Sequence, residues 1–184
     1  MGRRLDLIVE ARDNPAMSES QAAHSLHAHA HTRAFRRALG MFATGITVVT
    51  TRDAAGHPVG LTVNSFNSVS LDPPLIVWSL SRQFTQREAF EHCNHYAINV
   101  LSADQESLSK LFAGKAKDRF AGLEWDVGTH DVPLLRGCCA HFEVRNDVRH
   151  EGGDHLLFIG EVLRFDRAEK APLLYFEGAY RTLA

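Results

Sequence analysis

Residues 44–75 read TGITVVTTRDAAGHPVGLTVNSFNSVSLDPPL, and their pattern decides the fold class. The run 46–51, ITVVTT, is wholly β-branched, which suits an extended backbone in a pleated sheet. Asp53 to Gly56 supplies a turn ahead of Pro58, and VGLTVNSF resumes strand character, so the two runs predict a hairpin closed by a short polar loop. The following run, NSVSLDPPLIVWSL, breaks at Asp72-Pro73-Pro74. Prolines donate nothing to a strand ladder, so the strand is expected to restart at Leu75 and run through Leu80.

Downstream, FTQREAFEH (84–92) predicts a helix, YAINVLS (96–102) a strand, and 103–113 a second helix with Leu108, Leu111 and Phe112 at helical spacing and Asp104 at its start. WDVGTHDVPLL reads as loop and short turns. Three strands are expected at roughly 137–149, 155–166 and 174–177, with glycines 152 and 153 marking the hairpin between the first two. Upstream, RAFRRALGMFA (33–43) predicts a short helix with Phe35, Leu39 and Phe42 on one face, ended by Gly45. The total is six or seven strands and two or three helices. The strands come in hairpins rather than βαβ units, which predicts an antiparallel barrel with helices packed outside. No GxGxxG opens a helix after a strand, which argues against a Rossmann dinucleotide site.

Composition bounds the rest. The chain has 184 residues, 45% apolar and 23% charged, enough for one domain with a hydrophobic core. Residues 1–32 stand apart as a small, polar, His-rich segment and are expected to form a flexible arm outside a domain spanning 33–184. The alternating His24, His27, His29 and His31 read as loose surface groups, so no metal site is expected. A net charge of −2 offers no bulk positive field, so neither nucleic acid nor a membrane is an expected partner. The opening MGRRLDLIVEARDNP reads as carrying no secretory signal. Cys93, Cys138 and Cys139 are odd in number and two are adjacent, which argues against a disulfide framework and for a reducing, cytoplasmic setting.

Three clusters carry chemistry. Asn64, Ser65, Asn67 and Ser68 place several donors close together, suited to a ring edge or a phosphate, and equally to the polar outer face of a strand. Ser79, Ser81, Arg82 and Thr85 run into a helix start and form an anion site or an ordinary N-cap. In GGDH (152–155), His155 opens a strand after a glycine turn, where it can bond a carboxamide or donate a proton, or simply decorate a surface hairpin.

Taken in order, TGITVVTT (44–51), GLTVNSFNSVSLDPPL (60–75), YAINVLS (96–102), GGDH (152–155), IGEV (159–162) and PLLYFEGAY (172–180) resemble the flavin reductase-like family across about residues 34–184. That family includes the reductase components of hydroxyphenylacetate, phenol, nitrilotriacetate and styrene monooxygenases. The resemblance implies a mainly β fold with peripheral helices, an FMN-binding split β-barrel of antiparallel Greek-key form. It also implies a homodimer with flavin near the subunit interface. NADH or NADPH would reduce FMN or FAD by hydride transfer to flavin N5, and the reduced flavin would pass to a flavin-dependent monooxygenase. The resemblance places Asn64 and Ser65 on the flavin, and Thr47 and Val48 near the isoalloxazine edge. It assigns Ser81, Arg82 and Thr85 to the phosphate, with Asn99, Arg119 and Phe120 about the flavin pocket. His155 falls near the nicotinamide, with Tyr180 closing that side. The segment SLSRQFTQREAF departs most from the family pattern. Two other readings share the fold: a non-catalytic flavin-binding carrier or sensor, and a pyridoxamine-phosphate-oxidase-type FMN oxidase. The hydride chemistry needs no protein nucleophile, metal or triad, because the two rings carry the electronics and the protein orients them.

Overall fold

A computed structural model describes residues 30–183. The expected arm therefore lies outside the described residues except for its last three positions, which open helix α1 at 30–39. This helix starts and stops earlier than the sequence pattern predicts. It ends at Leu39, with Gly40 in the turn that follows, and Gly45 instead sits in a short strand. Glycine costs a helix about 1 kcal/mol relative to alanine, which makes Gly40 a natural stop.

From Gly40 the chain forms a unit of its own. It contains β1 (Thr44–Gly45), β2 (Thr47–Arg52), β3 (Pro58–Val63), β4 (Asn67–Leu71), β5 (Pro74–Ser81), α2 (Arg87–His92), β6 (His95–Val100) and α3 (Glu106–Ala113). Then follow β7 (Trp125–Val127), β8 (Pro133–Leu135), β9 (Ala140–Gly152), β10 (His155–Arg167), β11 (Leu174–Phe176) and β12 (Ala179–Arg181). The stretch 125–135, expected as loop and turns, is a small hairpin of β7 and β8. The Asp72-Pro73 break is the tight turn between β4 and β5, with a cis peptide bond, and Pro74 opens β5 where no ladder donor is needed.

Seven strands form one antiparallel sheet in the order β3-β2-β6-β9-β10-β5-β4. Its two edge strands, β3 and β4, are joined by Asn64, Ser65 and Phe66 alone. In a flat sheet those edges would stand six strand spacings apart, about 29 Å. Four peptide steps reach at most about 14 Å. The sheet must therefore curl until its edges approach each other, which is the open, split form of a barrel. The Ser65 hydroxyl ties this linker to β5: it accepts from the Ser79 N–H at 3.0 Å and donates to the Ser79 carbonyl at 3.3 Å.

The barrel interior is aromatic. Trp78 stacks on Phe158 with centroids 4.5 Å apart and meets Phe90 and Tyr96 edge-on, and all four are buried. Gly160 admits this packing, because a Cβ there would lie 2.4 Å from the Tyr96 hydroxyl and 2.7 Å from the Arg145 carbonyl. A second cluster, including Ile46, Val48, Leu101, Phe112, Phe120, Leu135 and Leu173, joins α3 and the C-terminal strands to the barrel wall. No helix among the described residues is long and apolar enough to cross a membrane.

Candidate functional site

The loop between β5 and α2, residues 82–86, borders two features at once. On one side its residues 83–86 line a groove of about 740 Å³ with Thr62 of β3, Phe112 of α3 and the loop that follows α3. That volume falls within the range of small-molecule sites. The groove is cationic: Lys115, Lys117 and Arg119 line it, and no carboxylate does. Arg119 is the best fixed of the three. Its guanidinium donates to Gln86 Oε1 at 3.0 Å and to the Gly114 carbonyl at 2.8 Å, while its Nε is buried with no protein partner. Burial holds the Arg119 pKa below its usual value, yet an arginine stays charged at any physiological pH. A second hollow of about 410 Å³ shares Gln86, Lys117 and Arg119 and adds Asp53, His57 and Asp118.

On its other side the same loop meets the tip of the β9–β10 hairpin. The Arg82 N–H donates to the Asp154 carbonyl at 3.0 Å, one step past the end of the β5–β10 ladder, where Ser81 pairs with His155. Gly153 turns the hairpin with a φ of 67°, a left-handed value that glycine adopts without strain. His155 is half-exposed, and its Nδ1 lies 2.8 Å from Asp154 Oδ1.

The residues singled out from the sequence divide by burial. Thr47 is 2% exposed, and Val48 and Asn99 have no exposed surface, so all three lie in the barrel wall. The Thr47 hydroxyl donates to the Val63 carbonyl at 3.2 Å, which accounts for a polar residue in a buried strand. Asn99 is wholly engaged with Val48, Thr50 and Leu135. Phe120 is 7% exposed and packs edge-on against Phe112 and Trp125, beneath Arg119 in the chain. Asn64 and Ser65 are exposed at the sheet edges, and Ser81 caps the turn by accepting from the Gln83 N–H at 3.3 Å. Arg82 donates from Nε to the Gly153 carbonyl at 3.2 Å and ion-pairs with Glu151, so its charge serves the hairpin tip. Thr85 does line the groove. Tyr180 lies across α3, with its hydroxyl 2.9 Å from that of Ser109 and Lys110 Nζ 5.7 Å from its ring centre.

Lys115 and Lys117 were missed by the sequence reading, as were Phe84 and Gln86. The signal was present in KAKDRF, residues 115–120, where three cations fall within five positions just after a helix. Phe84 lies under the Arg119 guanidinium, 5.5 Å from ring centre to Cζ.

The chain is 45% identical over 150 residues to the FMN reductase (NADH) SmoA of Agrobacterium fabrum, covering 82% of this chain and 85% of that protein. It is 40% identical over 168 residues to the reductase component of a flavin-dependent trigonelline monooxygenase from Acinetobacter baylyi, covering 91% of this chain but only 52% of that longer protein. Among solved structures, the NADH:FAD oxidoreductase SgcE6 of Streptomyces globisporus, in complex with NAD and FAD fragments, superposes with a TM-score of 0.77 at 36% identity, covering 82% of this chain and 91% of that one. Residues 39–184 match the flavin reductase like domain, and the chain belongs to that family.

Proposed function

We propose that this protein is an NADH-dependent flavin reductase that releases reduced FMN or FAD to a partner flavin-dependent monooxygenase. The names of its relatives support that class of oxidoreductase and its use of flavin and NADH. The observation that carries the reading is the double role of the β5–α2 loop, whose residues 83–86 line a cationic groove while Arg82 seats the His155 turn.

The groove fits a flavin's anionic arm. It is large enough for one, its charged lining is wholly basic, and the buried Arg119 Nε lacks a protein acceptor. Lys115, Lys117 and Arg119, with Thr85, would hold the phosphate, while Asn64 and Ser65 in the β3–β4 linker would bond the ring edge. When bound, the flavin supplies hydride acceptance, and the protein's task is placement. His155, whose Nδ1 lies 2.8 Å from Asp154 Oδ1, would donate from Nδ1 to that carboxylate and present Nε2 to the nicotinamide carboxamide. The exposed apolar residues Leu71, Val148, Leu163 and Phe165 support a homodimer. The three unpaired cysteines support a reducing, cytoplasmic setting.

The test is consumption of NADH and of NADPH by purified protein, with and without FMN, FAD and riboflavin. Oxidation that depends on added flavin is expected, and an unchanged nicotinamide absorbance with every flavin overturns the proposal.

A further inference from the structure

We infer that Arg82 is a positioning residue for His155, acting through the hairpin tip rather than on the flavin phosphate. The inference rests on the assignment of His155 to the nicotinamide made above. Three contacts carry it. The Arg82 backbone N–H bonds the Asp154 carbonyl at 3.0 Å, its Nε bonds the Gly153 carbonyl at 3.2 Å, and its terminal nitrogen pairs with Glu151. One residue thus holds the end of β9 and both residues of the turn, its side chain reaching Glu151 and Gly153 and its backbone Asp154. The turn it closes sits at the end of two thirteen-residue strands, where the tip is exposed and the β5 ladder has just run out.

Without that clamp the tip keeps its backbone bond to Arg82 but loses the side-chain ties from Arg82 to Gly153 and Glu151. The turn that carries Asp154 is then held less firmly, which loosens the Nδ1 contact that orients the His155 ring and aims Nε2. A histidine free to rotate binds a carboxamide at the cost of its own ordering, so nicotinamide affinity should suffer while flavin affinity does not.

The experiment is a double-mutant cycle of Arg82→Ala and His155→Ala, with steady-state KM and kcat measured separately for NADH, FMN and riboflavin. Arg82→Met, which keeps the aliphatic stem over the turn, separates charge from packing. The expected result is that R82A and R82M each raise the NADH KM about fivefold, the size of one ordinary hydrogen bond, and leave both flavin KM values within about twofold. In the His155→Ala background the R82A change should add nothing further. A rise in KM for FMN but not riboflavin makes Arg82 a phosphate ligand and overturns the inference. Additive losses in the cycle overturn it too, because they show general damage to the hairpin. If His155→Ala alone leaves NADH kinetics at the wild-type level, the assignment of His155 fails, and the positioning role falls with it.

Discussion

The Arg119 guanidinium stands 5.5 Å from the centre of the Phe84 ring, with its two terminal nitrogens already tied to Gln86 and the Gly114 carbonyl. A cation held from three sides over an aromatic face is pre-organised, so it binds an anion without first giving up side-chain freedom. Arg119→Ala should raise the KM for FMN about tenfold and leave that for riboflavin within about twofold, since hydrogen bonds to charged groups contribute roughly 1.5–3 kcal/mol. Equal losses for FMN and riboflavin in the same assay would remove Arg119 from the phosphate.

Asn99 should behave in the opposite way. Its amide nitrogen donates to the Val48 carbonyl at 2.9 Å and to Thr50 Oγ1 at 3.0 Å, and its carbonyl oxygen accepts from the Leu135 N–H at 2.8 Å. These bonds fasten the β7–β8 hairpin to the barrel wall in a place with no access to water. Asn99→Ala leaves a buried N–H unpaired and should lower stability by about 2–4 kcal/mol. The check is urea unfolding: the midpoint should fall at unchanged slope, while flavin KM stays at the wild-type value in the folded protein.

These two residues show what the sequence makes legible. The hairpin order, the break at Asp72-Pro73 and the GGDH turn follow from local rules about β-branching, proline and glycine, and each is found within a few residues of its expected place. Burial is not local. Thr47, Thr50 and Thr51 are polar residues whose burial the sequence does not reveal: strand β2 runs between β3 and β6 and is covered on both sides. Their hydroxyls are spent on the carbonyls of Val63, Pro133 and His95, partners 16 to 83 positions away. Arg82 and Arg119 are alike in sequence context, each near an aromatic residue. Only the fold shows that one charge faces a carboxylate on a neighbouring hairpin and the other faces a groove without one.

Tyr180 gives a third contrast. Ser109 has no exposed surface, and the Tyr180 hydroxyl lies 2.9 Å from its oxygen. Tyr180→Phe strands the serine hydroxyl and should cost about 1–2 kcal/mol, whereas adding Ser109→Ala to that variant removes the orphan and should recover most of the loss. Thermal unfolding of the single and double variants decides it: a double variant less stable than Tyr180→Phe alone would show that the pair does not act as a unit.

Acid should weaken the fold in two windows. His95 and His130 stack with ring centroids 4.7 Å apart, and His130 Nδ1 lies 3.0 Å from Glu143 Oε2. Burial lowers the His95 pKa below its ordinary 6.5, the neighbouring His130 and Arg145 lower it further, and Glu143 opposes them. The folded protein thus keeps His95 neutral where the unfolded chain protonates it, so stability is full above about pH 6.5 and declines as the pH falls toward the folded value. Burial pushes the Glu143 carboxyl up, but backbone and side-chain bonds from His130, with one from Thr129, bring it below its ordinary 4.5. Its contribution is present above that value and is lost as the pH drops through the folded one. The urea midpoint should therefore fall between about pH 7.5 and pH 5 in the wild type, and His95→Gln should flatten that decline while leaving the steeper loss below about pH 4.5 in place. A midpoint that is constant across the upper window, or a His95→Gln variant with the wild-type slope, would show that the stacked histidines do not couple protonation to folding.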